Sequence, residues 1–278
     1  MPGGLAVVDI VASMIFAAMT GAGAATTAAV GGIMIPSMEE EGYDPGFASA
    51  IQTVGGVFGP IIPPSILMVL YAVASGASVG DMLLAGLLPG LFLGLVLIVV
   101  VVMQCIKKGY KGSGRFHLGE VVRSFGHAFW ALLAPVIILG GIYSGFVTPT
   151  EASALCCFYC LFVGVFIYKE IKIKDICKIV YGGVKSAAGI MLIVAATQAF
   201  GWVITRAGIP QTLARTFTSS ISNPLVFVFA ACLILLVAGC FIDAVPALLI
   251  FAPIFCPTAD AYGINMVYFG VVMVIVLC

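Results

Sequence analysis

Residues Met19–Ser65 read MTGAGAATTAAVGGIMIPSMEEEGYDPGFASAIQTVGGVFGPIIPPS, and this stretch decides the fold. It lies in sequence apolar enough for a bilayer, yet both ends are built to interrupt a helix. Thr20-Gly-Ala-Gly-Ala-Ala-Thr-Thr27 opens it and Gly59-Pro-Ile-Ile-Pro-Pro-Ser65 closes it. In hydrocarbon every backbone N–H and C=O needs a partner, so non-helical chain is tolerated only where it packs in protein or lines a polar cavity. Two such breaks with short apolar arms are the sequence mark of a secondary-transporter binding site.

The residue types at the breaks suit that chemistry. Thr20, Thr26 and Thr27 offer hydroxyls, and Gly21 and Gly23 free the backbone to aim carbonyls or N–H groups inward. Gly55, Gly59, Pro60, Pro63 and Pro64 belong to the second break. Ser65 opens the next helix, whose positive end suits an anionic substrate. Close helix packing through small residues is the competing reading of the glycines.

Composition sets the class. The chain has 278 residues, 62% of them hydrophobic and 9% charged, with mean hydropathy +1.22. Soluble domains carry about 25% charged residues, so this is an all-α integral membrane protein with several spans. Strands of a membrane barrel would alternate over about ten residues, and these long apolar runs do not. Twelve basic residues balance twelve acidic ones, which gives no sign of a nucleic-acid partner. The nine cysteines are scattered or, like Cys156, Cys157 and Cys160, lie in apolar sequence, and read as buried small hydrophobes. No cleavable signal peptide is apparent.

Along the chain, Leu5–Ala18 predicts an apolar helix interrupted by Asp9, a polar spot. Short helices are expected over Ala28–Ser37, ending at Pro36, and over Gly46–Phe58, with a solvated turn at Glu39–Pro45 between them. Ile66–Ala74 is apolar, and Asp81 caps the following span, Met82–Met103. That span measures roughly 30 Å at 1.5 Å per residue. A basic loop follows (Lys107, Lys108, Lys111, Arg115), with His117 and His127 read as solvated. Apolar segments Ala128–Val147 and Ala152–Tyr168 flank Thr148-Pro-Thr-Glu151, which reads as an ordinary helix start. A second basic loop holds Lys169, Lys172, Lys174 and Lys178; two spans between two basic loops place both loops on the cytoplasmic side. Gly182–Val203 and Leu225–Ile242 are further apolar segments, with polar, interfacial sequence at 205–222 between them. Ala244–Pro257 is a short arm, Tyr262–Asn265 a turn, and Val267–Cys278 the start of another helix.

Segment 240–273 reads as a second copy of 19–52. Pro36 pairs with Pro257 and Gly42 with Gly263, each 221 residues apart, and the same offset puts Asp44 on Asn265 and Ala22 on Asp243. A counterpart of Gly59–Ser65 would begin near residue 280, and the first copy lacks a counterpart of 187–222, so the sequence reads as a fragment at both ends. Asp243 stands where an apolar span breaks. A carboxylate at membrane depth costs at least about 2.5 kcal/mol and is a functional candidate by default. It fits a cation site together with unwound carbonyls, and equally the N-cap of the helix from Ala244. Pro246 lies in that helix's first turn.

Several runs resemble the large membrane (M) subunit of the tripartite ATP-independent periplasmic (TRAP) transporters. They are Pro2-Gly-Gly-Leu, TGAGAATTAAVGGIMIP, EGYDPGFASA, GPIIPPSI, LPG at 88–90, APVIILGGIYSGFVTPTEA at 134–152, Ser222-Asn-Pro and FIDAVPALLIFAPI. The resemblance implies inverted repeats with helical hairpins and broken helices, working as an elevator. It also implies Na⁺-driven symport of an organic acid such as a C4-dicarboxylate or sialic acid. Its implied setting is the bacterial inner membrane, with a small four-helix (Q) subunit and a periplasmic substrate-binding protein as partners. Na⁺ would be the coupling ion, held at Thr20, Thr26 and Asp243, with no organic cofactor and no enzymatic reaction. Many members carry Gly-Ser-Ser and an Asp at the first break, where Ala22, Gly23 and Thr26 stand here. Coordination would then fall to threonine hydroxyls and backbone carbonyls. On this reading residues 1–75 are the later part of a first repeat, 76–181 a scaffold with connecting helices, and 182–278 a truncated second repeat. A single-component dicarboxylate symporter and a non-transporting membrane scaffold are the alternatives.

Overall fold

The computed structural model describes residues 3–110, 118–220 and 223–278. Lys111, Arg115, His117, Ser222 and the side chain of His127 lie outside the described residues. The described elements are helical, in the order α1 (Gly4–Thr20), α2 (Gly23–Glu40), α3 (Pro45–Gly56), α4 (Phe58–Ile61), α5 (Ile66–Ser75), α6 (Val79–Lys108) and α7 (Leu118–Tyr143). Then come α8 (Pro149–Phe162), continuing as a π-helical segment Val163–Ile167, α9 (Ile173–Arg206), α10 (Ile209–Ser220), α11 (Pro224–Gly239), α12 (Ala244–Ala261) and α13 (Met266–Leu277). Among the described residues, five helical segments are long and apolar enough to cross a membrane: Pro45–Ser75, Val79–Lys108, Pro149–Ile167, Ile173–Arg206 and Ala244–Ala261. The chain forms two compact units, residues 1–66 with 86–163 and residues 67–85 with 164–278.

In the first unit α1, α2, α3 and α4 close around a core that includes Ala6, Ile10, Ala17, Met38, Phe47, Ala48, Ile51 and Phe58. An aromatic group seals one end: the Tyr43 ring stacks on Tyr110 at 4.5 Å, and Phe47 on Tyr110 at 5.6 Å. Such pairs add about 0.5–1.5 kcal/mol beyond the area they bury. In the second unit Phe227 stacks on Tyr262 and Phe269 at 5.3 and 6.0 Å. Tyr71 is fully buried there and donates its hydroxyl to the Met266 carbonyl at 2.9 Å.

Several boundaries differ from the sequence reading, each for a local reason. The first break is not 20–27 but the pair Gly21–Ala22, because the Thr26 hydroxyl bonds the Ala22 carbonyl at 3.0 Å and the helix restarts at Gly23. Pro36 does not end α2. Its ring removes one helical donor, and the Ser37 hydroxyl bonds the neighbouring Ile33 carbonyl at 2.8 Å. Gly59 and Pro60 fall inside the short α4, so the second break is narrowed to Ile62–Ser65. Asp81 lies in the first turn of α6, and the hydroxyl capping its N–H is that of Ser78, at 3.3 Å. Lys174 and Lys178 belong to α9 rather than to a loop, α7 stops at Tyr143, and sequence 209–220 forms helix α10. Of the cysteines, Cys105, Cys156 and Cys256 are buried, whereas Cys157, Cys160 and Cys177 are exposed on helix faces and Cys240 is exposed in the turn after α11. Thr148 starts α8 as read: its hydroxyl accepts from the Glu151 N–H, and the Glu151 carboxylate accepts from the Thr148 N–H at 2.8 Å.

The repeat holds at atomic detail within each unit. Helices α2 and α12 begin 221 residues apart and end 221 apart, and α3 and α13 begin 221 apart. Gly21 donates to the Ala17 carbonyl at 2.9 Å, as Ile242 does to Ala238 at 2.9 Å. Gly42 and Gly263 both turn with positive φ, 85° and 69°. Tyr43 donates to Met38 at 3.0 Å, as Ile264 does to Ala259 at 3.0 Å. Asp44 caps α3 through the Phe47 N–H at 2.9 Å, and Asn265 caps α13 through Val267 and Tyr268 at 2.8 and 3.2 Å. Asp44→Ala and Asn265→Ala should therefore cost similar stability, about 1 kcal/mol each. Denaturant titration of the full-length protein followed by circular dichroism checks this; a loss at one position only would show that the two caps are not equivalent.

Candidate functional site

In the first unit the two breaks meet. Gly21 ends α1 in the left-handed conformation, φ 62°, and its carbonyl accepts from the Ile66 N–H at 3.4 Å. A Cβ on Gly21 would stand 2.4 Å from the Pro64 carbonyl oxygen. One on Gly59 would stand 2.5 Å from the Ala22 carbonyl carbon and 2.6 Å from the Gly23 nitrogen. One on Gly23 would meet the Gly56 oxygen at 3.0 Å, and one on Gly55 the Ser13 hydroxyl at 2.8 Å. The glycines thus do more than break helices. They let the backbone of 21–23 touch that of 56–64, so the packing reading of these small residues is correct as far as it goes.

Hydroxyls gather at the same junction. Thr20 Oγ1 and Thr26 Oγ1 are 3.0 Å apart, and Thr20 also reaches the Phe16 carbonyl at 3.2 Å. Thr26 is fully buried, and Thr27 sits against Gly56, whose Cβ would overlap the Thr27 hydroxyl. The Ser65 hydroxyl donates to the Pro60 carbonyl, tying the end of α4 to the start of α5, and the Pro63–Pro64 peptide is cis. A hydroxyl has one proton and two lone pairs, so a threonine that donates to a helix carbonyl retains oxygen electrons for a cation. The eleven predicted residues from Thr20 to Ser65 therefore belong to one junction. Asp243 and Pro246 belong to the second unit. Asp243 is exposed, with extended backbone at the N-cap of α12, but its carboxylate makes no capping hydrogen bond. Half of the capping interpretation holds, the backbone half.

Sequence reasoning missed a buried polar group beside the junction. Gln52, Ser13 and Asp9 are each at most 1% exposed. Gln52 Nε2 reaches the Thr26 and Thr27 carbonyls at 3.4 and 3.5 Å, and Ser13 Oγ reaches Gln52 Oε1 at 3.5 Å. The available signal was that Asp9, Ser13 and Thr20 share one face of α1, at helical spacing. The second unit has its own hollow of about 280 Å³, lined by Thr197, Gln198, Trp202, Thr205, Leu249 and Pro253 among others. The Arg206 guanidinium lies 5.1 Å from the Trp202 ring centre. Among the described residues no cluster of three or more His, Cys, Asp or Glu side chains could hold a transition metal, which leaves hydroxyl and carbonyl oxygens as the donors of the junction. Such donors suit hard cations.

Comparison with known proteins points the same way. All of residues 1–278 match the family described as "Tripartite ATP-independent periplasmic transporter, DctM component". The "C4-dicarboxylate TRAP transporter large permease protein DctM" of Pseudomonas aeruginosa is 41% identical over 273 residues, covering 98% of this chain and 64% of the relative. The "Sialic acid TRAP transporter large permease protein SiaM" of Vibrio cholerae is 38% identical over 273 residues, with the same coverage, 98% and 64%. The "2,3-diketo-L-gulonate TRAP transporter large permease protein YiaN" of Escherichia coli is 34% identical over 274 residues, 99% of this chain and 64% of the relative. The chain thus spans 64% of the length of these relatives.

The close approach at the junction sets a stability test. Gly59→Ala should destabilise the full-length protein by about 1–3 kcal/mol, the usual cost of overpacking. Gly32→Ala, on α2 with open space around it, should be neutral or stabilise by up to about 1 kcal/mol. Thermal unfolding of both variants decides it, and a Gly59→Ala protein as stable as Gly32→Ala would show that the breaks do not touch.

Proposed function

Because the chain belongs to the DctM-component family of the tripartite ATP-independent periplasmic transporters, we propose that it forms part of a Na⁺-coupled permease importing an organic acid. The family is one of transporters rather than enzymes, and the chain is a multi-pass membrane protein. The substrate is a carboxylate, of the C4-dicarboxylate or sialic acid kind named for the relatives. A periplasmic binding protein delivers it, and a small membrane subunit completes the permease in the bacterial inner membrane.

The observation that carries this reading is the junction of two helix breaks, Gly21–Ala22 against Ile62–Ser65, lined by hydroxyls and carbonyls inside an apolar unit. A hard monovalent cation needs several oxygens without a high density of charge. Thr20 and Thr26, 3.0 Å apart, are close enough to share one cation. They would hold it with carbonyls freed at the break, and the substrate carboxylate would sit nearby at the start of α5. In the second copy Asp243 takes the place of Ala22 and would supply a carboxylate to the matching ion site. The matched α1–α2–α3 and α11–α12–α13 geometry fits a repeat-built carrier, with inverted repeats and elevator motion as its working form.

Uptake of a C4-dicarboxylate and of sialic acid by the reconstituted full-length permease, with its small subunit and binding protein, tests the proposal. Uptake should require Na⁺ and the binding protein; uptake undiminished in choline would sink the coupling. Thr26→Val and Asp243→Asn should each raise the Na⁺ concentration for half-maximal uptake about tenfold, equivalent to about 1.4 kcal/mol. An unchanged Na⁺ requirement would remove that residue from the site.

A further inference from the structure

Asp9 lies on α1 at 1% exposure, and among the described residues neither carboxylate oxygen has a hydrogen-bond partner. Ser13, one turn on and on the same face, reaches Gln52, and Gln52 reaches the Thr26 and Thr27 carbonyls. Thr26 in turn bonds Thr20. Buried polar groups thus run beside α1 from Asp9 to the break at Gly21–Ala22, a distance of about 18 Å at 1.5 Å per residue.

The second unit serves as an internal control. Its α12 and α13 repeat the register of α2 and α3, yet the positions equivalent to Asp9, Ser13, Thr26 and Gln52 are Ala230, Ile234, Ala247 and Met273. Ala247 and Met273 are fully buried, so at those two positions the arrangement packs with apolar side chains, whereas Ala230 is half-buried and Ile234 exposed. Packing thus does not call for polar side chains at Thr26 and Gln52.

An ionised carboxylate withdrawn from water with no donor or counter-ion is costly, and such a group ordinarily neutralises by taking up a proton. Among the described side chains, the elements around α1 hold no charge that would relieve it. The titratable groups of the surrounding core are Tyr43, Cys105 and Tyr110. Glu39 and Glu40 on α2 and Lys107 and Lys108 on α6 are exposed, and α3 and α4 carry no charged side chain. Glu120, Arg123 and His127 of α7 lie outside the described side chains. A metal cation would require several oxygens converging on Asp9, and among the described residues its carboxylate has no hydrogen-bond partner. A proton requires one oxygen.

We propose that Asp9 is a proton-binding site of the first unit, its carboxyl held as the neutral acid in this buried conformation, one helical turn before the Ser13, Gln52 and Thr26 hydrogen bonds that lead to the helix break. One O–H bond forms at Asp9 with a proton from bulk water, and breaks when that proton returns there. The site stands independently of the Na⁺ reading, and its test needs no transport.

Infrared spectra of the full-length permease in lipid nanodiscs at neutral pH, with Na⁺ and with choline, compare the parent with Asp9→Asn. The expected result is loss of a carboxylic-acid C=O band in both media, with the carboxylate bands intact. Loss of carboxylate bands instead would overturn the proposal. Such a loss confined to Na⁺ medium would identify the occupant as the cation, and equally overturn it. Should Asp9→Asn fail to fold, Asp9→Glu must shift the same acid band; an unmoved band removes Asp9 from the site.

Discussion

Backbone touching backbone at the junction of two helix breaks is the contact on which the first unit depends. Gly21–Gly23 and Gly56–Pro64 approach so closely that a single Cβ on Gly21 or Gly59 would overlap main-chain atoms of the opposite segment. This closeness lets an apolar protein tolerate interrupted helices. The groups freed by the breaks find partners nearby: the Gly21 carbonyl with the Ile66 N–H and the Pro60 carbonyl with the Ser65 hydroxyl. Water would do this work in a soluble protein. In a bilayer the chain must do it itself, and the same partners leave oxygens concentrated at one place.

The two units reach the same local geometry with different chemistry. The α3 and α13 caps, the turn glycines and the ends of α2 and α12 coincide at a constant spacing, while buried Thr26 and Gln52 in one unit stand where buried Ala247 and Met273 stand in the other. Asp44 and Asn265 cap equally well because each offers an oxygen to backbone N–H groups two or three residues on. Ala22 and Asp243, by contrast, occupy equivalent backbone positions but only one carries charge. Shared backbone with divergent side chains is expected where a duplicated scaffold keeps its packing and separates its functions.

Much of this was legible in sequence where the signal is local. Composition fixes the membrane class, glycine and proline mark both breaks, and Thr148 with Glu151 announces the start of α8. The repeat shows through as two pairs, Pro36 with Pro257 and Gly42 with Gly263. The boundaries were less legible, because packing carries a helix through residues that usually end it. Helix α2 already begins at Gly23 and runs on through Pro36. The polar line from Asp9 to Gln52 was missed because its members are 43 residues apart and meet only when α3 folds back on α1.

By itself the sequence determined that the chain is an all-helical membrane protein with paired interruptions, since hydropathy and the steric limits of glycine and proline act over a few residues. Only the tertiary structure decided which oxygens share a space, which glycines face a backbone and which carboxylate is withdrawn from water. Burial and contact join residues far apart in the chain, and no local propensity encodes them. Asp9 and Asp243 make the point: each interrupts apolar sequence, yet one is enclosed without a partner and the other is exposed at a helix start.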